Sequence, residues 1–218
     1  MSLSTLSPWL RAMAVVSTSV LGFLFSSCAT NEGTGWVRSD HLRAPGCYDG
    51  PFDLKPDFFG SNPFRNSQTI RIQRGDDIIE YSDGVSILVD DTTRVRGSLG
   101  ASLRVGLPPE VTPPGVPITV DPDPPIVHLT LYLNHTCSGE LIALHGVEGT
   151  MTFDHLFSGD RNEEDSGDRL TQGRFDVKVG DPRDQPAGGG AIPEEKLSHL
   201  TGEFRFFFER GQPAQPFP

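Results

Sequence analysis

Asp160, Asn162, Glu164, Asp165 and Asp168 crowd into residues 160–168. A hard cation such as calcium takes about six to eight oxygen ligands, and a loop of this composition could supply several. The order of an EF-hand loop fails here, because with Asp160 and Asn162 in the first and third places Asp165 stands where glycine must turn the chain. The segment reads first as a solvated hairpin loop and only weakly as a calcium site. Cys137, His145 and Met151 are the ligand types of a blue-copper centre. Their spacing is long for that motif, and the reading needs Cys137 as a free thiolate. The histidines show no i, i+2 couple on which a zinc site could start.

Nucleophilic and phosphate chemistry find no motif. No serine sits in a G-x-S-x-G elbow, and no glycine-rich phosphate loop follows a strand pattern. Carboxylates are plentiful, but a glycosidase pair is defined by a distance in space that sequence does not carry. The expectation is a chain without catalytic residues or cofactor, with a hydrolase using unrecognised carboxylates as a secondary alternative. Arg74, Gly75 and Asp76 spell RGD, best explained as a hairpin turn in which glycine supplies a positive φ. The stretch CYDGPFDLKPDFFGSNPF, 47–64, sets Tyr48, Phe52, Phe58, Phe59 and Phe64 among prolines and glycines. Aromatics on such a loop-rich segment either cover an open end of the core or form a platform for a sugar or peptide. Tyr48, Phe58 and Phe59 are the candidate ligand-binding residues, and the Phe58-Phe59 pair is expected to be exposed, since adjacent residues of an extended segment cannot both face inward.

Three cysteines bound the compartment. Ala12–Asn31 carry no charge, with Arg11 just before them, and the apolar core of this run is Ala12–Phe25, which matches the basic and apolar regions of a secretory leader and is too short for a membrane-spanning helix of about 20 apolar residues. The leader ends in Phe25, Ser26, Ser27 and Cys28. Two small residues before a cysteine resemble the lipobox of the bacterial lipoproteins, with Phe25 where those leaders prefer a branched aliphatic residue. That resemblance covers the leader alone. It implies cleavage after Ser27, lipid on Cys28, a membrane partner through that anchor, and residence in the cell envelope, on the outer membrane because no aspartate follows Cys28. Each buried methylene contributes about 0.8 kcal/mol and several chains hold stably. With Cys28 so used, Cys47 and Cys137 remain as a pair in an oxidising compartment and are expected to be bridged.

Residues 1–27 contain Arg11 and no acid, so the remainder carries 17 basic and 29 acidic residues, a formal −12. That balance argues against nucleic acid or an anionic membrane face as a charge-driven partner. An envelope polysaccharide or protein partner is compatible with it.

The elements that must position these residues are strands. TIRIQ (69–73), IVHLTLYLNHTC (126–137) and three later units, GTMTFDHLF (149–157), LTQGRFDVKV (170–179) and LTGEFRFFFER (200–210), alternate apolar and polar residues, and each later unit sets a glycine before residues that share one parity. Residues 78–91 read as two short strands around a Ser-Asp-Gly turn, and 94–107 as one strand with a dry face. Eight prolines in 108–125 make that stretch a crossing loop or linker. No window outside the leader shows a helical period. The expected architecture is all-β, an antiparallel β-sandwich or flattened barrel: a signal peptide at 1–27, a flexible tether at 28–46, and a single domain at 47–218 with a structural or binding role at the cell envelope. The Phe-rich segment acting as a carbohydrate-binding or other ligand-binding module is the first alternative.

Overall fold

The computed structural model describes residues 33–75, 81–108, 111, 123–138, 141–186 and 190–208. The expected leader, Cys28, Asp76 and most of the proline-rich segment lie outside the described residues. Among those described, ten strands form one antiparallel sheet: β1 (Thr34–Ala44), β2 (Tyr48–Leu54), β3 (Phe58–Phe64), β4 (Ser67–Arg74), β5 (Asp83–Val89), β6 (Ser102–Arg104), β7 (Val127–Leu133), β8 (Ala143–His155), β9 (Leu170–Gly180) and β10 (Ser198–Phe207). Their spatial order is β2-β1-β10-β9-β8-β7-β5-β4-β3, with β6 added on β8. The strands belong to one hydrogen-bonded path curled into a half-barrel. This is the barrel-like form of the expected all-β fold.

Alternation places the core as expected in β7, where Val127, Leu129, Leu131 and Leu133 are fully buried. β8, β9 and β10 lie side by side as an antiparallel meander. The glycine that opens each unit of the sequence echo has a steric reason. Gly202 pairs with Phe175, and a Cβ on it would stand 2.2 Å from that ring. Gly173 pairs with Phe204, and a Cβ there would stand 3.1 Å from the Phe204 ring and 2.8 Å from a Thr152 carbonyl. Gly173 and Gly202 are each the slot into which a neighbouring strand lays a phenylalanine, whereas a Cβ on Gly149 would strike the backbone of Asp176 and Val177.

The ends of the strand order meet through side chains. Phe59 of β3 packs against Phe206 of β10 with ring centroids 5.9 Å apart. Its ring also lies over the start of β1, where a Cβ on Gly35 would fall 3.0 Å from it. Phe206, Phe204 and Phe153 continue the aromatic row at 6.4 Å per step.

Four expectations are corrected. The tether does not extend to 46, because 34–44 is strand β1, held between β2 and β10. The domain therefore begins before Cys47. Val37, Ser39, Leu42 and Ala44 are buried while Arg38, Asp40, His41 and Arg43 are exposed. A bulge between Ser39 and Leu42 shifts the parity and hides the alternation. Segment 94–107 is not one strand: α1 (Thr92–Arg96) is followed by a turn and then by β6. The Ser-Asp-Gly turn is absent, since Asp83 and Gly84 open β5 and pair with Arg74 and Gln73. Finally, 47–64 is two strands rather than loop.

The helix α1 forms because Asp91 caps it, accepting from the Arg94 backbone N–H at 2.9 Å, while Asn66 Nδ2 donates to the same carboxylate at 2.9 Å. These bonds, the Arg94 N–H first, hold the Asp91 carboxyl below its ordinary value of 3.8. A depressed pKa stabilises the folded state at pH above that ordinary value, and the contribution fades as pH falls through the folded one. Asp91→Asn keeps an acceptor but not the charge. The variant is expected to lose stability less steeply than the parent below pH 3.8, as read from acid-unfolding curves, and identical slopes would contradict this role for Asp91.

Candidate functional site

Cys47 and Cys137 are bonded, with Cα atoms 5.5 Å apart and 90 residues between them in sequence. Two turns bring them together. The β1–β2 turn closes with the Cys47 N–H donating to the Ala44 carbonyl at 3.0 Å. The turn after β7 is organised by Asp83, a buried carboxylate whose Oδ1 accepts the N–H groups of His135 and Thr136 at 3.0 Å and whose Oδ2 accepts the Thr136 hydroxyl. The residue read from sequence as part of a turn is the anchor that presents Cys137. With Cys137 bridged, the thiolate required by the copper reading does not exist.

Tyr48, Phe58 and Phe59 do not assemble into a platform. Phe59 is a core residue, 1% exposed, which overturns its assignment to a ligand surface. The strand period is responsible: Phe59 faces inward beside Ile72 of β4, leaving Phe58 half-buried against Gly60. Tyr48 packs edge-on to Phe52 at 6.3 Å, and its hydroxyl donates to the Pro51 carbonyl. The exposed aromatic of this segment is Phe64, at 65%.

The acidic loop uses its oxygens on itself. Asp165 caps α2 (Ser166–Arg169) by accepting the Gly167 N–H at 2.7 Å, and Asp160 accepts the Asn162 N–H at 2.8 Å. Asp168 takes the Arg96 guanidinium at 2.6 Å. Glu163 accepts the Ser158 hydroxyl and the N–H groups of Glu164 and Asp165. Among the described residues no three His, Cys, Asp or Glu side chains gather as a metal group.

Sequence reasoning missed a cleft of about 320 Å³ on the outer face of β1, β10 and β9, lined by Asp40, His41, Arg43, Lys178, Glu194 and His199 among others. Its charged groups are matched across strands. His41 pairs with Asp49 of β2, and His199 Nε2 lies 2.6 Å from Asp176 of β9. Lys178 sits 2.7 Å from both Glu148 and Glu194, which hold its ammonium above the ordinary lysine pKa. The Arg43 N–H donates to the buried Ser198 hydroxyl at 2.9 Å, and the Arg43 guanidinium to the Glu195 carbonyl. These are exposed pairs of small individual weight, and those between neighbouring strands, His41 with Asp49, His199 with Asp176 and Lys178 with Glu148, match one strand to the next. The cleft draws on three distant segments, so local spacing carried no sign of it.

Comparison with family models, with curated proteins and with solved structures finds no match to this chain. What it does must be argued from its own geometry.

Proposed function

We propose that this chain is a non-catalytic β-domain anchored in the cell envelope by lipid on Cys28, with a binding role toward an envelope component. The observation that carries the reading is the Cys47–Cys137 bond, because structural disulfides persist in oxidising compartments outside the cytosol. The leader of residues 1–27 and the small residues before Cys28 support the same address. The mutual pairing of charges on the outer face supports a surface built for rigidity and contact in preference to proton transfer.

The start of β1 at Thr34 changes what an anchor would do. Residues 29–33 alone would separate Cys28 from the sheet, at most about 20 Å of extended chain against about 60 Å for an 18-residue tether. The domain would work close to the bilayer, within reach of partners at the membrane surface.

Intact-mass analysis of protein extracted from membranes tests this reading. The expected result is a chain lacking 1–27, with acyl chains on Cys28 and a gain of two hydrogens on reduction. A chain that retains 1–27 with Cys28 unmodified overturns the anchor.

A further inference from the structure

We infer that the cleft beside the β3–β4 hairpin binds the acidic sugar units of an envelope polysaccharide. The β3–β4 hairpin turns through two residues, Arg65 and Asn66, flanked by the paired residues Phe64 and Ser67. Arg65 has φ +55, the single positive φ of a non-glycine residue among those described. A two-residue hairpin turn whose first residue alone has positive φ is a place where glycine ordinarily stands. An arginine there is held in a strained conformation, and such strain is found where a side chain has work to do.

Its side chain is placed for recognition. The Arg65 guanidinium lies 5.2 Å over the Phe64 ring and makes no ion pair among the described residues. Phe64 is the large exposed aromatic at the same tip. The hairpin borders a cleft of about 190 Å³ whose lining includes Arg65, Arg96, Ser67, Thr93 and Ser158 and no carboxylate. In a chain of net charge −11 that lining is unusual: three other clefts in the described part each carry Asp or Glu. Of the acids on the segments that border it, Asp91 accepts from Asn66 and the Arg94 N–H, Asp160 from the Asn162 N–H and Glu163 from Ser158, and Asp168 pairs with Arg96. Arg96 is further fixed by donating to the Leu156 carbonyl.

The ligand class follows from these parts. A planar guanidinium with no carboxylate already on it matches a carboxylate bidentately. An exposed phenyl face takes the apolar face of a pyranose ring, and Ser67, Thr93 and Ser158, whose hydroxyls donate to the Phe64 carbonyl, Asn66 and Glu163, keep lone pairs that can accept from sugar hydroxyls. The volume is below the range of about 300–1,000 Å³ that encloses a whole small ligand. The cleft therefore takes one ring of a chain at a time. A neutral sugar would leave Arg65 unmatched, and an acidic peptide would leave the Phe64 face unused.

This inference deepens the binding role proposed above and does not depend on acylation of Cys28. Calorimetric titration of the full chain, purified in detergent, with trigalacturonate, its methyl ester and tetraglutamate tests it. Trigalacturonate is expected to bind, with the methyl ester and tetraglutamate each about tenfold weaker or more, the scale of one lost charge-assisted contact. Arg65→Gly is expected to weaken trigalacturonate by about tenfold or more while the thermal midpoint stays level or rises, because glycine accepts the turn without strain. Phe64→Ala is expected to weaken binding at unchanged stability. No binding of trigalacturonate, affinity unchanged in Arg65→Gly, or equal binding of tetraglutamate overturns the proposal. Failure here alongside an acylated Cys28 would remove the sugar site and keep the anchor. Sugar binding by a chain with unmodified Cys28 would do the reverse.

Discussion

Replacing Cys47 and Cys137 together by alanine is expected to lower the unfolding free energy by about 4–5 kcal/mol, the loop-closure entropy of a loop of this length. The bond spans 90 residues, from the turn after β1 to the turn after β7. It ties the β1–β2 hairpin, at one end of the strand order, to a strand in the middle of the sheet. Freed of the bond, the unfolded chain gains the conformations in which these turns lie far apart. Against a total stability of about 5–15 kcal/mol for a domain, the loss is large. Urea unfolding of the double variant and of the reduced parent should agree, because both lose the same constraint. A shift under about 1 kcal/mol in both would show that the unfolded chain is held by something else.

The second large effect is expected at Phe59. Phe59→Ala should cost about 3–5 kcal/mol, the range for truncating a buried aromatic side chain, and Phe58→Ala under about 1.5 kcal/mol. Phe59 fills the space over Gly35 and against Phe206, where β3 meets the strands from the other end of the order. Its removal leaves a cavity where β3 packs on β1 and β10 through side chains. Phe58, on the opposite face, is half-buried against Gly60. Paired urea melts of the two variants check the asymmetry. A larger loss at Phe58 would mean that β3 sits one residue out of the register described here, since a one-residue slip exchanges the faces of a strand.

How much of this was legible depends on how local each signal is. β7 and the β8–β9–β10 meander alternate over their full lengths with one face buried, so a period of two marks them directly. β1 does not, because the bulge at Asp40 and His41 resets the parity halfway and leaves a segment that looks like unstructured polar chain. Five residues of α1 are too few for a helical period to show. Its Thr92 to Arg96 happened to continue the parity of the strand after it, and Asp91 as the cap was the available sign. β2 and β3 carry glycine and proline, which count against strands, yet these lie at the two ends of the path, where a missing N–H costs least.

Composition and periodicity by themselves determined the all-β class and the meander, because each is a property of residue type at short range, while the pairing of Cys47 with Cys137 was an expectation that rested on the lipobox resemblance setting Cys28 aside. Which faces of β3 point inward, how the sheet curls until Phe59 meets Phe206, and the gathering of Arg65, Thr93 and Ser158 around one cleft were decided by tertiary structure alone. Those features join residues tens of positions apart, and their cause is the packing of one strand on another, which leaves no periodic trace along the chain.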